Sequence, residues 1–402
     1  MVTKPFKQIK KIISKNGNNI AKQIFLQSYS LEDLFPNAEK LYPIKPETVA
    51  TPEVKQINFV KYCEAIHSDN YSLPAIYTAH LSQVIYYPKY DLVFTDSGKI
   101  IEETKFIYNL KPNQIGDFIK TVNLKVAHLF PFVSQPKKIS GICSVIRQFG
   151  RQKNHGHTLV DVTPRLYLLN QPEYKNIDEI KLLFSSEPTA VEHFMISKLA
   201  PKNVKITVIE NPNSLYLVDQ LIFPTCLTRP AAAYLPSEYI EYFRDRVLPK
   251  RESKKIHRIF ISRAKSSSRR MINEDELFEA LKPYGFKKYS LEGMSIEDEI
   301  ELFYDADYVV GTNGAGMANM IFSPQLKVLE IFANEYFQTH YYYLAKSLGH
   351  TYRYCHGYNV GAGGEKKPMR KDDIWSLRRA DFKVNVSEVV EGLLELEKQD
   401  QY

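Results

Sequence analysis

The feature that most restricts this chain's fold lies between residues 257 and 356, where short apolar runs alternate with amphipathic ones. "HRIFISR" reads as a strand, "NEDELFEALKPYG" as a helix and "FKKYSLEGM" as a strand. "SIEDEIELFYDA" is a helix with a Ser295 cap and an acidic first half, and "DYVVG" is the strand after it. "AGMANMIF" opens a helix, and "LKVLEIFAN", "YFQTHYYYLAKSLG" and "HTYRYCHG" close the series as strand, helix and strand. Alternation of this kind predicts a parallel, doubly wound sheet, with ligands beyond the C-terminal ends of its strands. Two stretches therefore matter: the one after "IFIS" and the one after "YVVG".

The second stretch is "GTNGAG", residues 311–316. Three glycines in six residues mean backbone that turns sharply or lets something approach closely. A phosphate held by N–H groups at a helix N-terminus is the common visitor to a strand–glycine–helix junction. The pattern has neither the dinucleotide spacing nor the Lys-Ser/Thr pair of a P-loop, and a tight β–α turn with no ligand also fits it. The first stretch is Ser262-Arg263 followed by Lys265, Arg269 and Arg270. Arg263 would project from the edge where "GTNGAG" turns, and its fork and permanent charge suit a pyrophosphate. Arg269 and Arg270 fit a solvated basic loop equally well.

Upstream, "QVIYYPKYDLVFTDSGKIIEET" reads as a hairpin turning at Asp96-Ser97-Gly98, and "KKISGICSVIRQFG" as a strand entering a polar loop. "NHGHTLVDVTPRLYLLN" looks helical, and "IKLLFSS" and "VKITVIE" are buried strands flanking the helix "AVEHFMISKLA". A chain of 402 residues is long for a single core. The charged decay of "LPSEYIEYFRDRVLPKRESKK" suggests a boundary near residue 250. The expectation is a peripheral segment at 1–70, a first α/β domain at 71–249 and a second at 250–402.

The net charge of +7 suits an anionic substrate or a membrane surface better than nucleic acid. The N-terminus carries several lysines, with Phe6, Ile9 and Ile13 at helical spacing, and reads as a solvated basic tail or a weak membrane-surface helix. Cys63, Cys143, Cys226 and Cys355 are far apart, with neither zinc-ligand nor disulfide-scaffold spacing, which points to a reducing, cytoplasmic setting. No apolar run spans a bilayer and no signal peptide is visible.

"FISR…RRMINEDELFEAL", "YSLEGMSIEDEIELFYDADYVVGTNGAGMANMIFSP" and "VLEIF" together resemble the catalytic region of glycosyltransferase family 61. The upstream "NHGHTLVDVTPRLYLL" is similar to that family's Asn-x-x-His-Trp-x-x-Asp-x-x-Pro-Arg-Leu stretch, and the likeness spans roughly 75–360. It implies a GT-B type α/β fold, two Rossmann-like domains with parallel sheets facing across a cleft. It also implies an inverting transfer from a nucleotide-sugar donor to a glycan or polysaccharide acceptor. The first domain would take the acceptor and the second the donor.

The resemblance puts Arg263 and the Gly314-Ala315-Gly316 turn at the donor phosphates. Asn319 matches the asparagine after that turn, Asn273 and Glu274 the family's Asn-Glu pair, and Glu330 its strand glutamate. Glu330 could accept from a ribose diol or be a buried structural carboxyl. Two positions depart from the pattern: Asn313 stands where the family has His, and Thr158 where it has Trp. Asn313 can still donate to a phosphate but carries no charge.

The catalytic base is expected from the first domain. His157 and Asp161 lie four apart, on one face if the segment is helical, with Arg165 continuing that face and Pro164 kinking it. Either His157 oriented by Asp161 or Asp161 itself would take the proton. A polar helix start with Asp161 paired to Arg165 is the structural alternative. Asp305-Ala-Asp307 precedes its strand, away from the phosphate edge, so no metal and no cofactor beyond the nucleotide sugar is expected. Two other functions fit: a non-catalytic glycan-binding or assembly protein, and a Rossmann dinucleotide oxidoreductase.

Overall fold

The computed structural model describes residues 28–44, 48–50, 70–96, 99–104, 136–147, 153–228, 232–334, 338–360 and 380–398. The basic N-terminus and Ser97-Gly98 of the expected hairpin turn lie outside them.

The chain runs through β1 (Ser28–Tyr29), β2 (Lys40–Ile44), β3 (Thr48–Ala50), β4 (Asn70–Ser72), β5 (Ile76–Tyr87), β6 (Leu92–Phe94) and β7 (Ile100–Ile101). It continues with β8 (Lys137–Ser144), β9 (Ile180–Phe184), helix α1 (Ala190–Leu199), β10 (Val204–Val208), β11 (Tyr216–Pro224) and helix α2 (Ser237–Val247). Apart from the β3–β4 pair, these strands form one sheet in the order β1-β7-β6-β5-β11-β8-β9-β10, with β2 also beside β5. β11, β8, β9 and β10 run parallel. β5 runs antiparallel to β11, β6 and β2.

This first sheet is therefore mixed, not the all-parallel sheet expected. A hairpin forces the change. Pro88–Tyr90 makes a single 3₁₀ turn closed by Asp91 at φ 51°, too short a connection for a parallel crossover. Residues 1–70 are also less peripheral than expected, since β1 and β2 both join the sheet. These strands are short and have no clean alternation, which hides them in the sequence.

The second sheet is built as the alternation predicts. Its strands are β12 (His257–Ile261), β13 (Phe286–Tyr289), β14 (Ala306–Thr312), β15 (Lys327–Phe332) and β16 (Thr351–His356). They are all parallel, in the order β13-β12-β14-β15-β16. Helices α3 (Glu274–Leu281), α4 (Ile296–Tyr304) and α5 (His340–Leu348) connect them. A further helix, α6 (Val386–Lys398), follows the small pair β17 (Tyr358–Asn359) and β18 (Phe382–Lys383).

Alternate residues of each strand face opposite sides. Phe260, Tyr308, Val310, Leu329 and Ile331 pack with Leu277 of α3 and Val389, Leu393 and Leu396 of α6. Ile259, Ile261, Val309 and Val328 pack with Ile300 and Phe303 of α4 and Leu344 and Leu348 of α5. That second cluster continues without a break into Leu159, Leu166, Phe184, Met195 and Phe243, so apolar packing crosses residue 250. Among the described residues no helix is long and apolar enough to cross a membrane.

In this order the first and third strands of the sheet, β12 and β14, lie side by side while their connections leave to opposite faces. The crevice at that switch point is where such sheets take ligands.

Candidate active site

Arg263 and the glycine turn meet at the switch point. A methyl group on Gly314 would sit 2.3 Å from Arg263 Nη1, so the guanidinium occupies the space a side chain would need. Glycine is required here by close approach and not by a left-handed backbone, since its φ is 177°. Arg263 is half-buried and its Nη2 donates to the Ser268 carbonyl at 3.0 Å. Its Nε is buried without an acceptor among the described residues. Burial pulls the guanidinium below its ordinary pKa, outweighing the nearby Glu292, Tyr341 and Glu274. A desolvated cation with an unused donor, at the ligand edge of the sheet, is short of an anion.

Glu274 holds the loop that carries it. One carboxylate oxygen accepts from Ser262 Oγ at 2.6 Å and the other from the Arg263 backbone N–H at 2.9 Å. Asn273 clips the loop from behind, donating to and accepting from the Val384 backbone at 3.0 Å each. Glu274 thus positions the arginine loop, and Asn273 ties the start of α3 to the segment after β18.

A second network lies under the turn. Arg269 Nη1 donates to Asn313 Oδ1 at 2.9 Å, Asn313 Nδ2 to Glu330 Oε1 at 2.6 Å, and Tyr352 Oη to Glu330 Oε2 at 2.5 Å. Arg269 has φ 57°, a left-handed backbone that costs a non-glycine residue roughly 1 kcal/mol or more. Its bond to Asn313 helps hold that conformation and keeps a second guanidinium beside the glycine turn. Glu330 is completely buried, with both carboxyl oxygens engaged by Asn313 and Tyr352, as a structural carboxyl would be.

Burial raises the Glu330 carboxyl to about 7, against the hydrogen bonds from Tyr352 and Asn313 and the charge of Arg269. The folded state then holds a proton that the unfolded chain, with its carboxyl near 4.5, has released. Stability should therefore fall as pH rises from about 4.5 to about 7, by on the order of 3 kcal/mol, and level off above. Glu330→Gln should remove this slope, as read by urea denaturation across that window. A slope unchanged by the substitution would mean that Glu330 is ionised throughout.

Asn319 lies deeper than a donor contact. It is completely buried; its Oδ1 is 2.6 Å from His155 Nε2 and its Nδ2 donates to Glu299 Oε2 at 3.0 Å. Burial raises the Glu299 carboxyl above its ordinary range, opposed by His155 and Asn319. The three side chains tie α4 and the segment after the glycine turn (Ala315–Phe322, a 3₁₀ helix) to the short helical turn His155–His157.

That turn sits directly on the glycine turn. A methyl on Gly156 would be 3.4 Å from Ala315 Cα, an ordinary contact, and 3.2 Å from the Tyr341 hydroxyl, so the two turns pack against each other. Asn154 caps it, its Oδ1 accepting from the His157 N–H at 3.2 Å. The next residue, His157, has Nδ1 2.6 Å from Oδ2 of the buried Asp161, and its ring meets that of His340 edge-on at 6.0 Å. A carboxylate can only accept, so Nδ1 carries the hydrogen and proton uptake falls to Nε2.

Thr158–Val162 forms a π-helical turn, closed by the Thr163 N–H on the Thr158 carbonyl, and Thr163–Asn170 continues as 3₁₀ helix. Pro164 has no N–H to continue an α-helix, and Thr163 Oγ1 adds a bond to the same carbonyl at 2.8 Å. The wide turn keeps Asp161 beneath His157 but rotates Arg165 off their face, correcting the expected His157–Asp161–Arg165 stripe. Arg165 is completely buried, donating to the Pro224 and Ile146 carbonyls and covering the Phe223 ring.

The Asp305-Ala-Asp307 stretch is at the other end of β14. Asp305 accepts from Arg251 at 2.7 and 2.9 Å and from the Lys254 N–H at 2.9 Å.

Residues 155–329 match the sequence profile of the family described as Glycosyltransferase 61. The matched segment is similar to members of that family and covers less than half of the chain. The match opens on His155, takes in His157, Asp161, Arg263 and the glycine turn, and stops one residue short of Glu330. Comparison with curated proteins gives no match. Among solved structures, E. coli heptosyltransferase WaaC with ADP-2-deoxy-2-fluoro heptose is similar over 56% of this chain and 94% of its own, at 10% identity and a TM-score of 0.27. A likeness that loose has no bearing on function.

Four residues of the assembly were not singled out by the sequence: His155, Glu299, His340 and Tyr341. Their signal is weak. Only the glycine between two histidines in "HGH" hints that this helix start is pressed against something.

Proposed function

We propose that the protein is an inverting glycosyltransferase, moving a sugar from a nucleotide-activated donor to a glycan or polysaccharide acceptor. One observation carries this: the His157–Asp161 turn rests on the glycine turn that Arg263 covers, so a base and an anion site sit side by side. The donor diphosphate would lie at Arg263 and the Gly314-Ala315-Gly316 backbone, with Arg269 at its edge. An acceptor hydroxyl attacks the anomeric carbon as the bond to the diphosphate oxygen breaks. Its proton passes to His157 Nε2, and Asp161 stabilises the resulting imidazolium. Arg263 stabilises the charge growing on the leaving diphosphate.

On this reading the chain up to about residue 249 handles the acceptor and the rest handles the donor, in a two-domain GT-B arrangement. Asn273, Glu274, Asn313, Asn319 and Glu330 act by holding the loops in place. The wide spacing of Cys143, Cys226 and Cys355 favours a reducing, cytoplasmic setting. Transfer needs no metal, because Asp305 is spent on Arg251 at the far end of its strand.

A screen of common nucleotide sugars in EDTA tests this. One donor should slowly release its nucleoside diphosphate to water, even without acceptor. Activity that vanishes in EDTA and returns with manganese or magnesium would overturn metal independence; no consumption of any donor, with glycan acceptors supplied, would favour a glycan-binding protein.

A further inference from the structure

His340 is the part of this region that the transfer chemistry does not use. It opens α5, far from His157 and Asp161 in sequence, yet one ligand-capable atom from each of the three lies within 4.8 Å of the others. Zinc binds imidazole nitrogen and carboxylate oxygen at roughly 2.0–2.2 Å, so ligand atoms around one four-coordinate ion stand roughly 3.3–3.6 Å apart. Closing on an ion would draw the more distant atoms inward and part His157 Nδ1 from Asp161 Oδ2, now 2.6 Å away. Two imidazoles and one carboxylate suit zinc and its neighbours, whereas magnesium and calcium prefer oxygen. Asp161 is buried, and its carboxylate offsets both the charge of a dication and the positive N-terminal end of α5.

We propose that His157, Asp161 and His340 form a binding site for a transition-metal dication of the zinc class, and that occupancy stops glycosyl transfer. The ion would displace the proton shared by His157 and Asp161 and take up the imidazole that otherwise accepts the acceptor's proton, so binding releases a proton to solvent. The binding half stands on geometry alone. The inhibitory half rests on His157 being the base. Zinc would then be an inhibitor of an enzyme that needs no metal.

Cobalt(II) is the probe, added to EDTA-treated, dialysed full-length protein. One equivalent should give the intense visible bands of a four-coordinate site, and zinc should bleach them. His340→Ala should weaken cobalt binding by at least roughly 10-fold and, measured against its own metal-free rate, lose inhibition by zinc. Absence of these bands in the unmodified protein overturns the site, with no variant needing to fold. Binding that His340→Ala and His340→Gln both leave unchanged overturns the ligand assignment. If cobalt binds as expected but zinc leaves transfer intact, the inhibitory half fails. His157→Ala then separates the causes, because retained transfer in that variant shows that the base assignment was at fault and not the metal site.

Discussion

His157→Ala lowers turnover by roughly 10²–10⁴-fold and leaves donor affinity nearly unchanged. The split follows from position. His157 sits beside the glycine turn without any part in holding Arg263, whose loop is fixed by Glu274 on the far side of β12. Asp161→Asn gives a comparable or smaller loss, since the imidazole keeps its place but loses the charge that stabilises its protonated form. Steady-state rates with calorimetric donor affinities check both. If the two variants transfer at near-normal rates, the base lies elsewhere.

Gly314→Ala is the most revealing change at the donor end. The new methyl meets Arg263 Nη1, the far end of a flexible side chain, so the guanidinium swings out while the backbone stays. Stability should barely change. Nucleotide affinity should drop by roughly 10–100-fold, the worth of a charge-assisted hydrogen-bond pair. Arg263→Ala should lose about the same, and Arg263→Lys should recover part of it, because a point charge cannot reproduce the fork. The double variant should be no worse than Arg263→Ala, since both substitutions remove one interaction. Additive losses in calorimetry would mean that Gly314 and Arg263 act separately.

The second sheet was legible because its central strands β14 and β15 are buried on both faces and its helices show an apolar stripe. Those are local patterns, and they carried the switch point and hence Arg263 and Gly314. Helix α6 shows the same apolar stripe in "VSEVVEGLLELEK" but lies beyond the alternating series. The first sheet was harder, because β1, β6 and β7 have only two or three residues, too few to show a period, and pairing direction depends on connections. At the site, sequence spacing found His157 and Asp161. It could not foresee that a π turn would separate Arg165 from them, since Pro164 signals a break and not its geometry. Asn313, Asn319 and Glu330 resembled ligand contacts by position alone. Burial, which a sequence reveals only statistically, puts them beneath the surface as supports. His340 could be found only by folding the chain.

The most direct test of donor binding at the Arg263–Gly314 crevice is calorimetric titration of the intact protein with UDP, GDP and NAD in EDTA. The account predicts that UDP or GDP binds at one site without a divalent metal, and that Arg263→Ala weakens this binding. Binding of NAD alone would make the crevice a dinucleotide site, and binding of no nucleotide at all would contradict the account at its centre.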